Sequence, residues 1–181
     1  MDSFQEHKIV QVLAYLSVNK QITNRKAYKL FWLADRYHLL KYARTISGDT
    51  YYAMEKGPIP SMTKKMIDGI ECSTYLHDCL DIGKEKTITV KKEPDYSYLS
   101  ISDKEVLDII LKTYGNCEDE ELSELSHKSP EWKNYESVIK GKKKTHRIAF
   151  KYFFSDFADE KHLFSSIDYS LSKELFFGKE I

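Results

Sequence analysis

A carboxylate and an imidazole recur together twice in this chain, as Asp35-x-x-His38 and Glu124-x-x-His127. The spacing sets both groups on one face of a helix, and two Glu-x-x-His motifs supply half of the ligands of a di-iron bundle site. The other half, a Glu from each of two further helices, has no counterpart, and Asp35 is shorter than the motif asks. A carboxylate–histidine hydrogen bond or a helix-surface pair is the expected role of both motifs, so no metal and no cofactor is assigned. Cys72-x4-His77-x-Cys79 gathers thiol and imidazole but lacks the paired C-x-x-C knuckles of structural zinc. Cys117 has no neighbouring base to make it a nucleophile. The sequence contains no G-x-S-x-G elbow, Walker loop, G-x-G-x-x-G fingerprint or H-E-x-x-H motif, so the common catalytic and nucleotide sites find no support. The expectation is a protein that is not an enzyme, with metal chemistry at Asp35, His38, Glu124 and His127 as an alternative.

The concentrated basic run is Lys140 to Arg147, KGKKKTHR. Aromatic residues do not alternate with its lysines, which argues against a platform for single-stranded nucleic acid, and a solvated loop is expected. A winged helix is the DNA-binding alternative, although no recognition helix rich in Arg, Asn or Gln stands out.

The elements that must position these residues centre on Ala27 to Ser61. Leu30, Leu33, Ala34, Tyr37 and Leu40 form one stripe of a helix, widened by Ala27, Phe31 and Trp32. An apolar face that broad belongs to a central helix, capped by Thr23 or Asn24 and ending near Lys41 to Arg44. Thr50 to Met54 reads as a strand. Gly57-Pro58-Ile59-Pro60 reads as a rigid corner that stops it, and Ser61 to Ile70 as the next helix. Upstream, Ile9, Val12, Leu13 and Leu16 predict a helix over Phe4 to Val18. Downstream, Thr87 to Lys91 and Tyr98 to Ile101 alternate around Pro94-Asp95, which predicts a hairpin that Thr50 to Met54 joins. Ser102 to Glu105 reads as a capping box for a helix ending at Gly115. A helix over Glu118 to His127, another opening at Ser129-Pro130 and carrying Trp132, and a closing helix through Phe150, Phe153, Phe154 and Phe157 complete the pattern. The fold class expected is α+β, predominantly helical, packed around a helix at about 24–42 with a small antiparallel sheet. All 181 residues are assigned to one domain, with a helical extension over 147–181.

Lysine plus arginine equal aspartate plus glutamate at 28 each, so global charge gives no reason to expect nucleic acid as a partner. The same balance permits close association with another protein, a second copy of this chain included. The 41 % hydrophobic and 31 % charged content is that of a globular protein. No run approaches the ~20 apolar residues of a membrane span, and MDSFQEHK lacks the apolar core of a signal peptide. With three cysteines, reduced thiols and a cytoplasmic location are the expectation.

The string LADRYHLLKYARTISGDTYYAMEKGPIPS resembles the signature of the Panacea domain, also called SocA-like or phage-associated GepA-like, of bacterial and phage antitoxins. The matching residues are Leu30, Ala34, Asp35, Tyr37, His38, Gly48, Asp49, Tyr52, Ala53, Gly57, Pro58 and Pro60. Leu122 to His127 followed by Ser129-Pro130-Glu131-Trp132 matches a second family segment, and together they span roughly Val10 to Asn134. The resemblance implies an antitoxin that binds a protein toxin encoded beside it. In some relatives the antitoxin is an adaptor that hands the toxin to a ClpXP-type protease. An interface of about 1,600 Å² with a few aromatic or arginine anchors is then expected, and Arg36, Tyr51, Tyr52, Lys56, Phe176 and Phe177 are the candidates for it.

Overall fold

The computed structural model describes residues 2–139, 145–155 and 166–178. The fold is α+β and predominantly helical. Helix α1 spans Ser3–Ser17, strand β1 Ile22–Thr23 and helix α2 Asn24–Tyr42. The hairpin β2 (Tyr51–Met54) and β3 (Gly57–Pro60) leads into α3 (Ser61–Ile67) and α4 (Thr74–Cys79), then β4 (Leu80–Ile82) and β5 (Thr87–Val90). Helices α5 (Ile101–Tyr114), α6 (Asp119–Lys128), α7 (Pro130–Lys133) and α8 (Glu136–Ile139) precede β6 (His146–Arg147). A 3-10 turn (Phe150–Phe154) and α9 (Ser166–Phe177) follow. Thr23 caps α2 by accepting from the Lys26 N–H, and Ala43 ends the helix in the left-handed region. Helix α2 packs against α1, α5, α6, α9 and β3, and residues 26–40 are buried without a break. It is the axis of the core, with Ile9, Leu13, Phe31, Trp32, Leu33, Val106 and Ile110 packed about it. Among the described residues, no helix is long and apolar enough to cross a membrane.

The strands depart from the sequence pattern. Thr87–Val90 pairs with Leu80–Ile82 on one side and with Ile22–Thr23 on the other, giving the order β1-β5-β4. Tyr98 to Ile101 is no strand, because Ser100 caps α5 in a reciprocal box with Asp103, which turns the chain into a helix two residues earlier than Ser102 would. Tyr51–Met54 belongs to a second sheet, β3-β2-β6. Gly57–Pro60 is therefore more than a corner: it runs back along β2, with Ala53 opposite Pro58 and Tyr51 opposite Pro60. Its two prolines are tolerated because β3 is an edge strand. Phe150–Phe154 forms a 3-10 turn where a longer helix was expected, and Phe157 lies outside the described residues. So do Lys140 to Lys144, while His146 and Arg147 of the same basic run pair with β2.

Candidate functional site

A helix buried on every side should be apolar throughout, yet α2 carries Lys26, Lys29, Asp35, Arg36 and His38 in its buried stretch. Buried polar groups must find partners or cost free energy, and those partners define the centre of the molecule. The Asp35 carboxylate accepts from the Ile46 and Ser47 backbone N–H groups at 2.8 and 2.9 Å, from the Ser47 hydroxyl, and from the Tyr51 hydroxyl at 2.8 Å. Burial pushes its pKa up, against the hydrogen bonds from Ser47 and Tyr51 that pull it down. Burial also drives the Tyr51 hydroxyl well above its ordinary value, reinforced by Asp35 and Asp49. Asp49 accepts from the Met62 and Thr63 N–H groups, both at 2.9 Å, and from the Thr63 hydroxyl at 2.8 Å. It thereby caps α3, whose own N-cap, Pro60, makes no side-chain bond. Gly48 turns between the two acids at φ +67°, a conformation other residues adopt only with strain.

Two further clusters tie α2 to distant segments. Arg36 donates to Glu131 at 2.6 Å, with both side chains fully buried, and the Trp32 indole donates to the other Glu131 oxygen at 2.9 Å. Nearer the end of α2, Asp103 meets Lys8 at 2.9 Å, His38 at 3.1 Å and Arg44 at 2.9 Å. Burial alone would raise its pKa, but the hydrogen bonds from His38, Lys8 and the Ser100 backbone hold it well below the usual carboxylate range.

A fourth cluster grips the β2–β3 turn from α6 and α7. The Trp132 indole donates to the Met54 carbonyl at 2.8 Å, the His127 Nε2 lies 3.0 Å from the Glu55 carbonyl, and the Ser123 hydroxyl donates to the Lys56 carbonyl at 3.2 Å. Lys29 donates to the Pro58 carbonyl at 3.2 Å. Four carbonyls in five residues are thus held by side chains. His127 also packs on Trp132, ring centroids 4.2 Å apart. At Gly57, φ is +104°, and a Cβ would fall 2.2 Å from the Ser126 hydroxyl and 2.4 Å from the Lys29 amine. Glycine is required there both by φ and by space.

The structure separates the four residues of the metal alternative. Asp35 and His38 serve different clusters, Glu124 is exposed, and among the described residues no three His, Cys, Asp or Glu side chains gather to hold a metal ion. Cys72 is exposed and Cys79 buried, its thiol pushed up by burial. Arg36 and Tyr51, expected at a partner surface, are both 0 % exposed and belong to the core clusters, as do Tyr37, His38 and Trp132. Their type suggested anchors, but partners far along the chain bury them. Phe176 and Phe177 are half-buried against Phe154, centroids 4.8 and 5.6 Å away. Tyr52 and Lys56 remain on the outside of the hairpin. Tyr52, Met54, Ile59, Lys64 and the exposed Ile70 line an open groove of about 380 Å³. Asp103 and Lys29 escaped the sequence argument. Asp103 could have been found from its place three residues after Ser100, and Lys29 from its place inside an apolar stripe.

One comparison with known proteins gives a match. The family model described as "Antitoxin SocA-like, Panacea domain" matches residues 28–133. No curated protein and no solved structure matches the chain.

Proposed function

Because the chain belongs to the SocA-like antitoxin family with a Panacea domain, we propose that it neutralises a cognate protein toxin by direct binding, with no bond made or broken. The observation that supports this most is the match over residues 28–133, a span that runs from α2 through the hairpin to Trp132. Within it, Gly57, Pro58, His127 and Trp132 shape the β2–β3 hairpin, Asp35 and Gly48 shape the segment that leads into it, His38 ties α2 to α5, and Tyr37 is buried in the core. A hairpin already held gives a partner a surface whose ordering cost was met on folding. The contact surface in this proposal is the outside of that hairpin, with Tyr52, Lys56 and the neighbouring groove, and the Phe176–Phe177 end of α9 as a second patch. Cytoplasmic action follows from a toxin made in the same cell.

The test is growth of bacteria expressing the adjacent open reading frame alone and together with this chain. Toxicity of the neighbour alone, relieved by co-expression, supports the proposal. A harmless neighbour, or one that stays lethal, overturns it. The toxin level in rescued cells separates the two routes to neutralisation: a constant level means occlusion, and loss that depends on a ClpXP-type protease means the chain acts as an adaptor.

A further inference from the structure

Lys29 lies in the second turn of α2 with 3 % of its surface exposed. An ammonium group has three protons to donate. Among the described residues, its one hydrogen-bond partner is the Pro58 carbonyl, and no carboxylate pairs with it. Burial pushes the amine down to about 7 from an ordinary 10.5. The adjacent Tyr28 hydroxyl is buried as well and lies by the Asn24 side chain without completing a hydrogen bond of good geometry. Two neighbouring side chains with unused donors line the same cleft, a cavity of about 30 Å³ between α2, α6 and the hairpin turn. The exposed Arg25 and Lys56 also border it, and the acids beside it are engaged elsewhere. Asp119 accepts from Thr23 at 2.7 Å, and Glu120 faces Arg25 at 3.8 Å.

The size of the cleft selects its occupant. A water needs about 10–15 Å³, so the space takes about two to three water-sized groups. A space this small favours a planar carboxylate over a bulkier phosphate, and Asp119 and Glu120 at the border, which repel any anion, repel a dianion more. Ile59 borders both this cleft and the groove beside Tyr52.

We propose that the cleft is the receptor for one carboxylate of the protein partner, an Asp or Glu side chain that enters between α2 and α6 and forms an ion pair with Lys29, assisted by Tyr28. This rests on the proposal that the chain acts by binding another protein. Among the described residues no acid pairs with this cation, and in this proposal the partner's carboxylate compensates it.

Two arms test it. Protein labelled with ¹⁵N-lysine is titrated with sodium acetate, and with sodium chloride and sodium phosphate at equal ionic strength. The Lys29 Nζ resonance, assigned by its absence in Lys29→Met, is expected to move saturably with acetate alone. No movement, or equal movement with chloride or phosphate, overturns the carboxylate site. In the second arm, affinity for the product of the adjacent gene is expected to fall about 30-fold or more in Lys29→Met and several-fold in Tyr28→Phe, with both variants folded. Unchanged affinity in both variants overturns the partner assignment. The acetate arm needs no toxin, so its failure bears on this cleft alone, while a neighbour that does not bind at all bears on the antitoxin proposal.

Discussion

Three cations on α2 meet three different fates. Arg36 is fully buried and bonded to a buried Glu131. Lys41, 12 residues from Lys29 on the same helix, reaches Glu105 at 2.6 Å at the surface, and that hydrogen bond holds its amine above the ordinary value. Lys29 is nearly as deeply buried as Arg36, and among the described residues it has only a carbonyl. Helix propensity and burial are similar for Lys29 and Arg36, so the difference lies in what the rest of the chain supplies. A buried charge that the fold completes is architecture. One that the fold leaves incomplete weakens the free protein.

The paired side of the contrast breaks most severely. Glu131→Ala leaves the Arg36 guanidinium buried without its acid and should lower stability by about 3–5 kcal/mol, read from urea denaturation. Replacing Arg36 and Glu131 together by Met and Leu should recover most of that loss. The unpaired side should respond with the opposite sign: Lys29→Met removes a desolvated charge and should stabilise the chain by about 1–4 kcal/mol at neutral pH. The pH dependence sharpens this. With the folded value near 7 and the unfolded value at 10.5, the unfolded state holds the proton more tightly between the two. Wild-type stability therefore rises with pH across that window relative to Lys29→Met, and the gap between them closes toward its upper end.

Asp49 is the mirror case, a buried acid satisfied by neutral donors at the start of α3. Asp49→Ala should cost about 2 kcal/mol through the lost cap and the N–H groups left unsatisfied, with α3 amides losing hydrogen-exchange protection. Smallest of all, Glu105→Ala at the exposed Lys41 pair should change stability by less than about 1 kcal/mol, measured in the same denaturation series.

Much of this was legible in the sequence where periodicity and local capping govern. The span of α2 followed from its apolar stripe and Thr23, and α6 followed from its acidic start. Long-range pairing was not. The alternation at Tyr98 to Ile101 is genuine, but the cap formed by Ser100 and Asp103 outweighs it, and β5 takes as neighbours β4 and the remote β1. The prolines of β3 hide a strand because the edge position that tolerates them is a property of the sheet. Arg36 looked like an anchor because its partner lies 95 residues away. Asp35 and His38, three residues apart, looked like a pair, yet each is claimed by groups from other segments. Lys29 looked like any lysine whose stem crosses an apolar face; only tertiary packing shows that its amine stays inside.

The most direct measurement of the central claim is the pH titration of the Lys29 Nζ resonance in the free protein. An uncompensated buried amine predicts a midpoint near 7. A midpoint at the ordinary lysine value would contradict the account, because it would mean that the free chain already supplies the compensation reserved here for a partner.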